Sequence, residues 1–122
     1  MKHNRIIFLI LMLFVFFHSS AVRQIDMHHA GQTPDHSVIY PPADQPNVYY
    51  DSANQLVIID GFGEVSYYDV EITPVVSSIP VITIQVDGNY DTIDVSTLGT
   101  GSYDITIYSP TGNTFEGTFY ID

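Results

Sequence analysis

The 122 residues hold 14 acidic and 3 basic side chains, a formal net charge of −11. The basic ones are Lys2, Arg5 and Arg23, and the chain has no Cys and no Trp but nine Tyr and seven Phe. This excludes a disulfide framework, a thiolate zinc site and a cysteine nucleophile. It also excludes nucleic acid and anionic lipid as partners, because too few cations are present to neutralise phosphate.

Lys2 and Arg5 precede an unbroken apolar run over residues 6–17, followed by His18-Ser19-Ser20-Ala21. A positive start, a short apolar stretch and the small residues Ser19 and Ala21 describe a secretory signal peptide over residues 1–21. A spanning helix needs about 20 apolar residues, and this run is shorter. No Cys follows it, so a lipoprotein anchor is excluded. Cleavage after Ala21 leaves one Arg against all 14 acids, a net of −13. The expectation is an exported protein of the periplasm, cell surface or medium, with no membrane insertion after cleavage.

Residues 22–46 contain Gly31, Pro34, Pro41, Pro42 and Pro46 and show neither a period of two nor one of 3.6. Such a stretch buries too little apolar surface to offset the entropy of ordering it, so a flexible linker is expected. Residues 36–40 (His-Ser-Val-Ile-Tyr) form an adhesive segment able to dock or add a strand. His28, His29 and His36 all fall here. Imidazole is a common metal ligand, but no carboxylate or Cys is held nearby to close a shell, which favours a polar tail.

From residue 47 the pattern becomes one of strands. Val48-Tyr49-Tyr50 is a short β-rich run ended by the turn cluster Asp51-Ser52-Ala53-Asn54. Leu56-Val57-Ile58-Ile59 is continuously apolar until Asp60-Gly61-Phe62-Gly63 breaks it. Residues 65–73 alternate, with Ser66, Tyr68, Val70 and Ile72 on one face. Pro74 and Pro80 bracket a connection, since proline cannot donate within a central ladder. Residues 81–86 alternate again, and Asp87-Gly88-Asn89 reads as a turn. Residues 92–96, 102–108 and 114–121 complete the set, the last two joined by the loop Ser109-Pro110-Thr111-Gly112-Asn113.

About seven strands with turn signals every 8–12 residues point to an all-β sandwich or barrel. The expected inward set is Leu56, Ile58, Tyr68, Val70, Ile72, Ile82, Ile84, Val86, Ile93, Val95, Leu98, Tyr103, Ile105, Ile107, Phe115, Phe119 and Ile121. Leu98-Gly99-Thr100-Gly101-Ser102-Tyr103 reads as a corner. Its glycines are free to turn, and a tyrosine there bonds backbone a few residues upstream in immunoglobulin-like sandwiches.

The stretches Ser66-Tyr67-Tyr68-Asp69-Val70-Glu71-Ile72-Thr73, Val86-Asp87-Gly88-Asn89-Tyr90-Asp91-Thr92-Ile93-Asp94-Val95-Ser96-Thr97-Leu98 and Gly112-Asn113-Thr114-Phe115-Glu116-Gly117-Thr118-Phe119 resemble a family of small exported proteins of unknown function from Gram-negative anaerobes. The resemblance spans residues 47–122 and implies an immunoglobulin-like antiparallel β-sandwich. Residues 93–98 through Tyr103, with the following hairpin, are also similar to the C-terminal sorting domains of the type IX secretion system. The shared motifs are structural and carry no catalytic residue.

Two candidate sites remain. Asp87, Asn89, Asp91 and Asp94 space oxygen ligands as a tight calcium loop does, although Thr92 and Leu98 break the EF-hand pattern and Asp and Asn favour turns in any case. Tyr67, Tyr90, Tyr108 and Tyr120 fall on outward or loop positions beside carboxylates, an arrangement suited to sugar rings, though strands favour tyrosine for packing alone. No nucleophile elbow, phosphate cradle or histidine lies within residues 47–122, and enzymatic chemistry is not expected. The sequence therefore points to a non-enzymatic exported interaction or structural module. Its partner would be an envelope protein. A glycan-binding accessory module and a sorting-domain-like remnant are the alternatives.

Overall fold

The structure, a computed structural model, describes residues 21–30 and 42–122. Of the expected leader only Ala21 is included, and His36 with the adhesive segment 36–40 lies outside the described residues. Among the described residues nine strands run β1 (Val22–Ile25), β2 (His28–His29), β3 (Asn47–Asp51), β4 (Leu56–Asp60), β5 (Tyr67–Pro74), β6 (Ile82–Asp87), β7 (Tyr90–Asp94), β8 (Gly101–Tyr108) and β9 (Thr114–Ile121). They form a four-stranded sheet in the order β1-β3-β4-β7 and a five-stranded sheet in the order β2-β9-β8-β5-β6. Every pairing is antiparallel.

The alternation seen in the sequence sets the faces of the five-stranded sheet. Tyr68, Val70 and Ile72 of β5, Tyr103, Ile105 and Ile107 of β8, and Phe115, Phe119 and Ile121 of β9 are all buried. Opposite them lie Val48, Tyr50, Val57, Ile59 and Ile93 of the four-stranded sheet. The two layers meet where Phe119 stands 5.3 Å from Tyr50 between ring centroids, and within its own sheet Phe119 stacks 5.9 Å from Tyr103. Fully burying one such side chain contributes roughly 1.5–3 kcal/mol, and this interior stabilises the domain without a disulfide.

Three expectations are corrected. In β4 the inward residues are Val57 and Ile59, while Leu56 and Ile58 face out and are half-buried. A run of four apolar residues has no alternation to read. The face is set by pairing instead, which places Val57 against Tyr50 and Ile59 against Val48. In β6, Ile84 shares the inward register of Val70 but is 43% exposed, because the five-stranded sheet has one strand more than its partner and β6 overhangs.

The third correction concerns the expected linker. Within it β1 pairs with β3, β2 pairs with β9, Ile25 enters the core, and Asp44 and Pro46 are buried. Gly117 permits this. A Cβ there would lie 2.6 Å from the Met27 sulfur and 2.8 Å from the Asp26 carbonyl, so the N-terminal segment crosses β9 where a side chain is missing.

Candidate functional site

The corner before β8 carries the chain from one sheet to the other. Tyr103 Oη donates to the Gly99 carbonyl at 2.6 Å. This bond ties the start of β8 to the turn that leads into it.

Of the four proposed calcium ligands, the three carboxylates are each engaged by nearby backbone. Asp87 Oδ1 accepts from the Asn89 amide at 2.7 Å, and Asp94 Oδ1 accepts from the Ser96 amide at 2.8 Å. Asp91 accepts from the amides of Asp87 and Thr92 at 2.9 and 2.8 Å. Each carboxylate caps its own stretch of backbone, as Asp does in turns. Among the described residues no three His, Asp or Glu side chains stand together as a metal site. A hydrogen bond from the Ser96 hydroxyl, with the Ser96 amide second, holds the Asp94 carboxyl below its ordinary range.

The tyrosines separate. Tyr90 opens β7 in the four-stranded sheet and is exposed. Tyr67, Tyr108 and Tyr120 lie on the outer face of the five-stranded sheet. Tyr108 sits opposite Asp69, so Tyr67 is its diagonal neighbour, within reach of about 7–8 Å. Tyr120, paired with Ser102, is at the far end of the same face. Tyr108 Oη meets Glu71 Oε2 at 3.3 Å, and burial with the nearby Glu71 charge pushes the phenol up from its ordinary value. Around these rings stand Asp69, Glu71, Asp104 and Glu116, all on outward positions.

One polar cluster was not foreseen. Asp44 accepts from Asn113 Nδ2 at 2.9 and 3.2 Å and from the Thr111 hydroxyl, while its main-chain carbonyl accepts from Tyr68 Oη at 2.7 Å. Burial alone would raise the carboxyl's pKa, but the hydrogen bonds from Ser109, Thr111 and Asn113 outweigh it and hold it below the ordinary range. Tyr68, buried and facing that carboxylate, is pushed up to about 12. His29, expected in a tail, packs instead on the Phe115 ring at 5.7 Å with Nε2 at 3.1 Å from Asn113 Oδ1. His28 faces outward, 3.7 Å from Glu116. The cluster fastens residues 42–46 to the β8–β9 loop. An ionised carboxylate whose oxygens are occupied by donors is suited to holding structure rather than to moving protons.

A shallow cleft of about 350 Å³ opens between β1 and β9, lined by Arg23, Tyr50, Tyr120 and Asp122 among others. The remaining feature is apolar. Val75, Val76, Ile79, Val81 and Ile84, all on the β5–β6 hairpin, are exposed, with Val76 97% exposed. No residue from 72 to 86 carries a charge. β6 ends the five-stranded sheet, so among the described residues no strand lies against its outer edge.

With the geometry in view, comparison with known proteins gives the class of fold. A solved DUF3244-family protein from Bacteroides vulgatus, described as having an immunoglobulin-like β-sandwich fold, superposes with a TM-score of 0.64. The match covers 83% of this chain and 99% of that one at 15% identity. This chain is therefore an immunoglobulin-like β-sandwich. No family profile matches the chain, and no curated protein matches it in sequence.

Proposed function

We propose that this protein is an exported, non-catalytic interaction module that engages an envelope protein through the exposed aliphatic side chains of the β5–β6 hairpin, beside the open edge of β6. The supporting observation is the concentration of five exposed aliphatic side chains on one hairpin of an otherwise strongly acidic chain. Contiguous exposed apolar surface of this kind marks protein contacts, and an open strand edge is a ready template for a partner's backbone. The test is to identify the neighbour by proximity labelling in the native cell, purify it, and measure binding. Val76→Asp with Ile79→Asp should weaken binding at least tenfold with an unchanged melting temperature. Unaltered binding would place the contact elsewhere.

A second reading rests on the diagonal pair Tyr67 and Tyr108. Two rings on one flat face beside Asp69 and Glu71 suit stacking against a sugar with its hydroxyls held by carboxylates. Glycan-array binding lost in the double variant Tyr67→Ala, Tyr108→Ala supports this reading, and binding that survives it removes the reading.

A further inference from the structure

We infer that the partner of the β6 edge is a second copy of this chain, joined by antiparallel pairing of β6 with β6 about a two-fold axis at Ile84. The inference rests on the reading above that this hairpin is a binding surface; it assigns the β6 backbone edge to a second copy and leaves Val75, Val76 and Ile79 for the envelope protein.

The backbone fixes which groups are free. Gly88 donates to the Ser66 carbonyl in line with the β5–β6 register, so even-numbered residues of β6 direct their N–H and C=O toward β5. Along an antiparallel strand the direction alternates, and Thr83 and Gln85 therefore turn theirs to the open side. The Asp87 amide, also odd-numbered, faces that side and is already held by Asp91, which ends the usable edge. The sequence Ile82-Thr83-Ile84-Gln85-Val86 is self-complementary about its centre. A two-fold axis there sets Ile84 against Ile84 and Ile82 against Val86 on the inner face, and Thr83 against Gln85 on the outer. Thr83 and Gln85 then exchange about four backbone hydrogen bonds across the junction.

Charge singles out this edge, and the self-complementary strand singles out the occupant. Two copies each carrying about −13 repel one another. The other strand ends of the sheets are guarded: β7 carries Asp91 and Asp94, β1 carries Arg23, and β2 has two residues. In β6 no charge meets its like until Asp87, which faces Val81 of the other copy. The overhang that leaves Ile84 43% exposed is what the second Ile84 covers.

The absence of Cys makes the register directly testable in the full-length chain, exported and processed by the cell. Facing Ile84 residues form a non-hydrogen-bonded pair with Cα atoms about 4.5 Å apart, inside the disulfide range of roughly 4.4–6.8 Å. Ile84→Cys should therefore give a cross-linked dimer on mild oxidation. Thr83→Cys alone should not, since its own copy lies on a diagonal beyond about 7 Å. Mixed with Gln85→Cys it should cross-link. Analytical ultracentrifugation should show a wild-type dimer that tightens as salt rises, and Ile84→Lys should raise its Kd at least tenfold. If Ile84→Lys does not fold, the cross-linking pattern decides.

A wild-type monomer at roughly 100 μM together with an uncross-linked Ile84→Cys overturns the proposal. If in that case Val76→Asp with Ile79→Asp still abolishes binding of an envelope protein, the hairpin serves a different partner and only the second copy is wrong. If those substitutions are also silent, the edge reading falls with it.

Discussion

Removing the Asp44 carboxylate should destabilise the domain more than any other surface-near change. The residue is 7% exposed and accepts hydrogen bonds from Asn113, Thr111 and Ser109. Hydrogen bonds to a charged group are worth roughly 1.5–3 kcal/mol each. Thr111 is exposed and Asn113 half-buried, so both rehydrate in Asp44→Ala and recover part of that, leaving a net loss of about 2–4 kcal/mol. At about 4–8 °C per kcal/mol for a domain of this size, the melting temperature should fall by roughly 10–20 °C. The pH dependence carries the sharper test. The folded carboxyl is held below the ordinary value of 3.8, so its contribution is present above about pH 4 and is lost as pH falls through the depressed value. The gap between wild type and Asp44→Ala, measured by urea unfolding, should be full at pH 7 and narrow toward pH 2.5. A gap that is absent at pH 7, or the same at both pH values, refutes the argument that the ionised carboxylate fastens residues 42–46 to the β8–β9 loop.

Two further outcomes follow from the fold. Tyr103→Phe removes the 2.6 Å bond to the Gly99 carbonyl and should cost about 0.5–1.5 kcal/mol in urea unfolding, with no effect showing the corner to be held by packing alone. Ile59→Ala should cost roughly 2–5 kcal/mol and Ile58→Ala well under half of that, because Ile59 is fully buried and Ile58 faces out; equal losses would mean the β4 register is misassigned.

What was legible in the sequence was whatever alternates. Residues 67–73, 102–108 and 114–121 alternate between apolar and polar over most of their length, and their inward members are the buried ones. The face of β4 was not legible, because four consecutive aliphatic residues fit either orientation and only the pairing with β3 chooses. Nor was the ordering of β1 and β2. Val22-Arg23-Gln24-Ile25 is short and carries no period, and its order comes from β3, Gly117 and the crossing at Met27, all distant in sequence. Asp44 looked like one more polar residue among prolines, and its donors sit at positions 109–113. Sequence spacing finds ligands that are close along the chain, as with Asp87 to Asp94, and there local turn bonding claimed the carboxylates first.

The distribution of charge gives the candidate sites a common explanation. A chain with a net of about −13 is kept soluble by self-repulsion, and the β7 edge gains protection from its own carboxylates Asp91 and Asp94. The β5–β6 hairpin is where that protection stops: residues 72–86 are uncharged, five aliphatic side chains are exposed, and the edge amides of Thr83 and Gln85 point outward. An edge left open by accident would be an aggregation hazard, since a neutral six-residue run rich in β-branched residues is the kind of segment that stacks. Two limits confine it. Asp91 takes the Asp87 amide at one end, and Pro74 and Pro80 bracket the loop at the other, so pairing cannot extend along the strand. Two-fold closure then uses up the edge in a single dimer, whereas a head-to-tail contact would leave it available for fibres. Lengthening the neutral edge, with Asp87→Val to free its amide, should therefore convert a discrete dimer into larger species detectable by light scattering. If the variant remains a dimer of the same size, the Asp87–Asp91 bond is not what terminates the pairing.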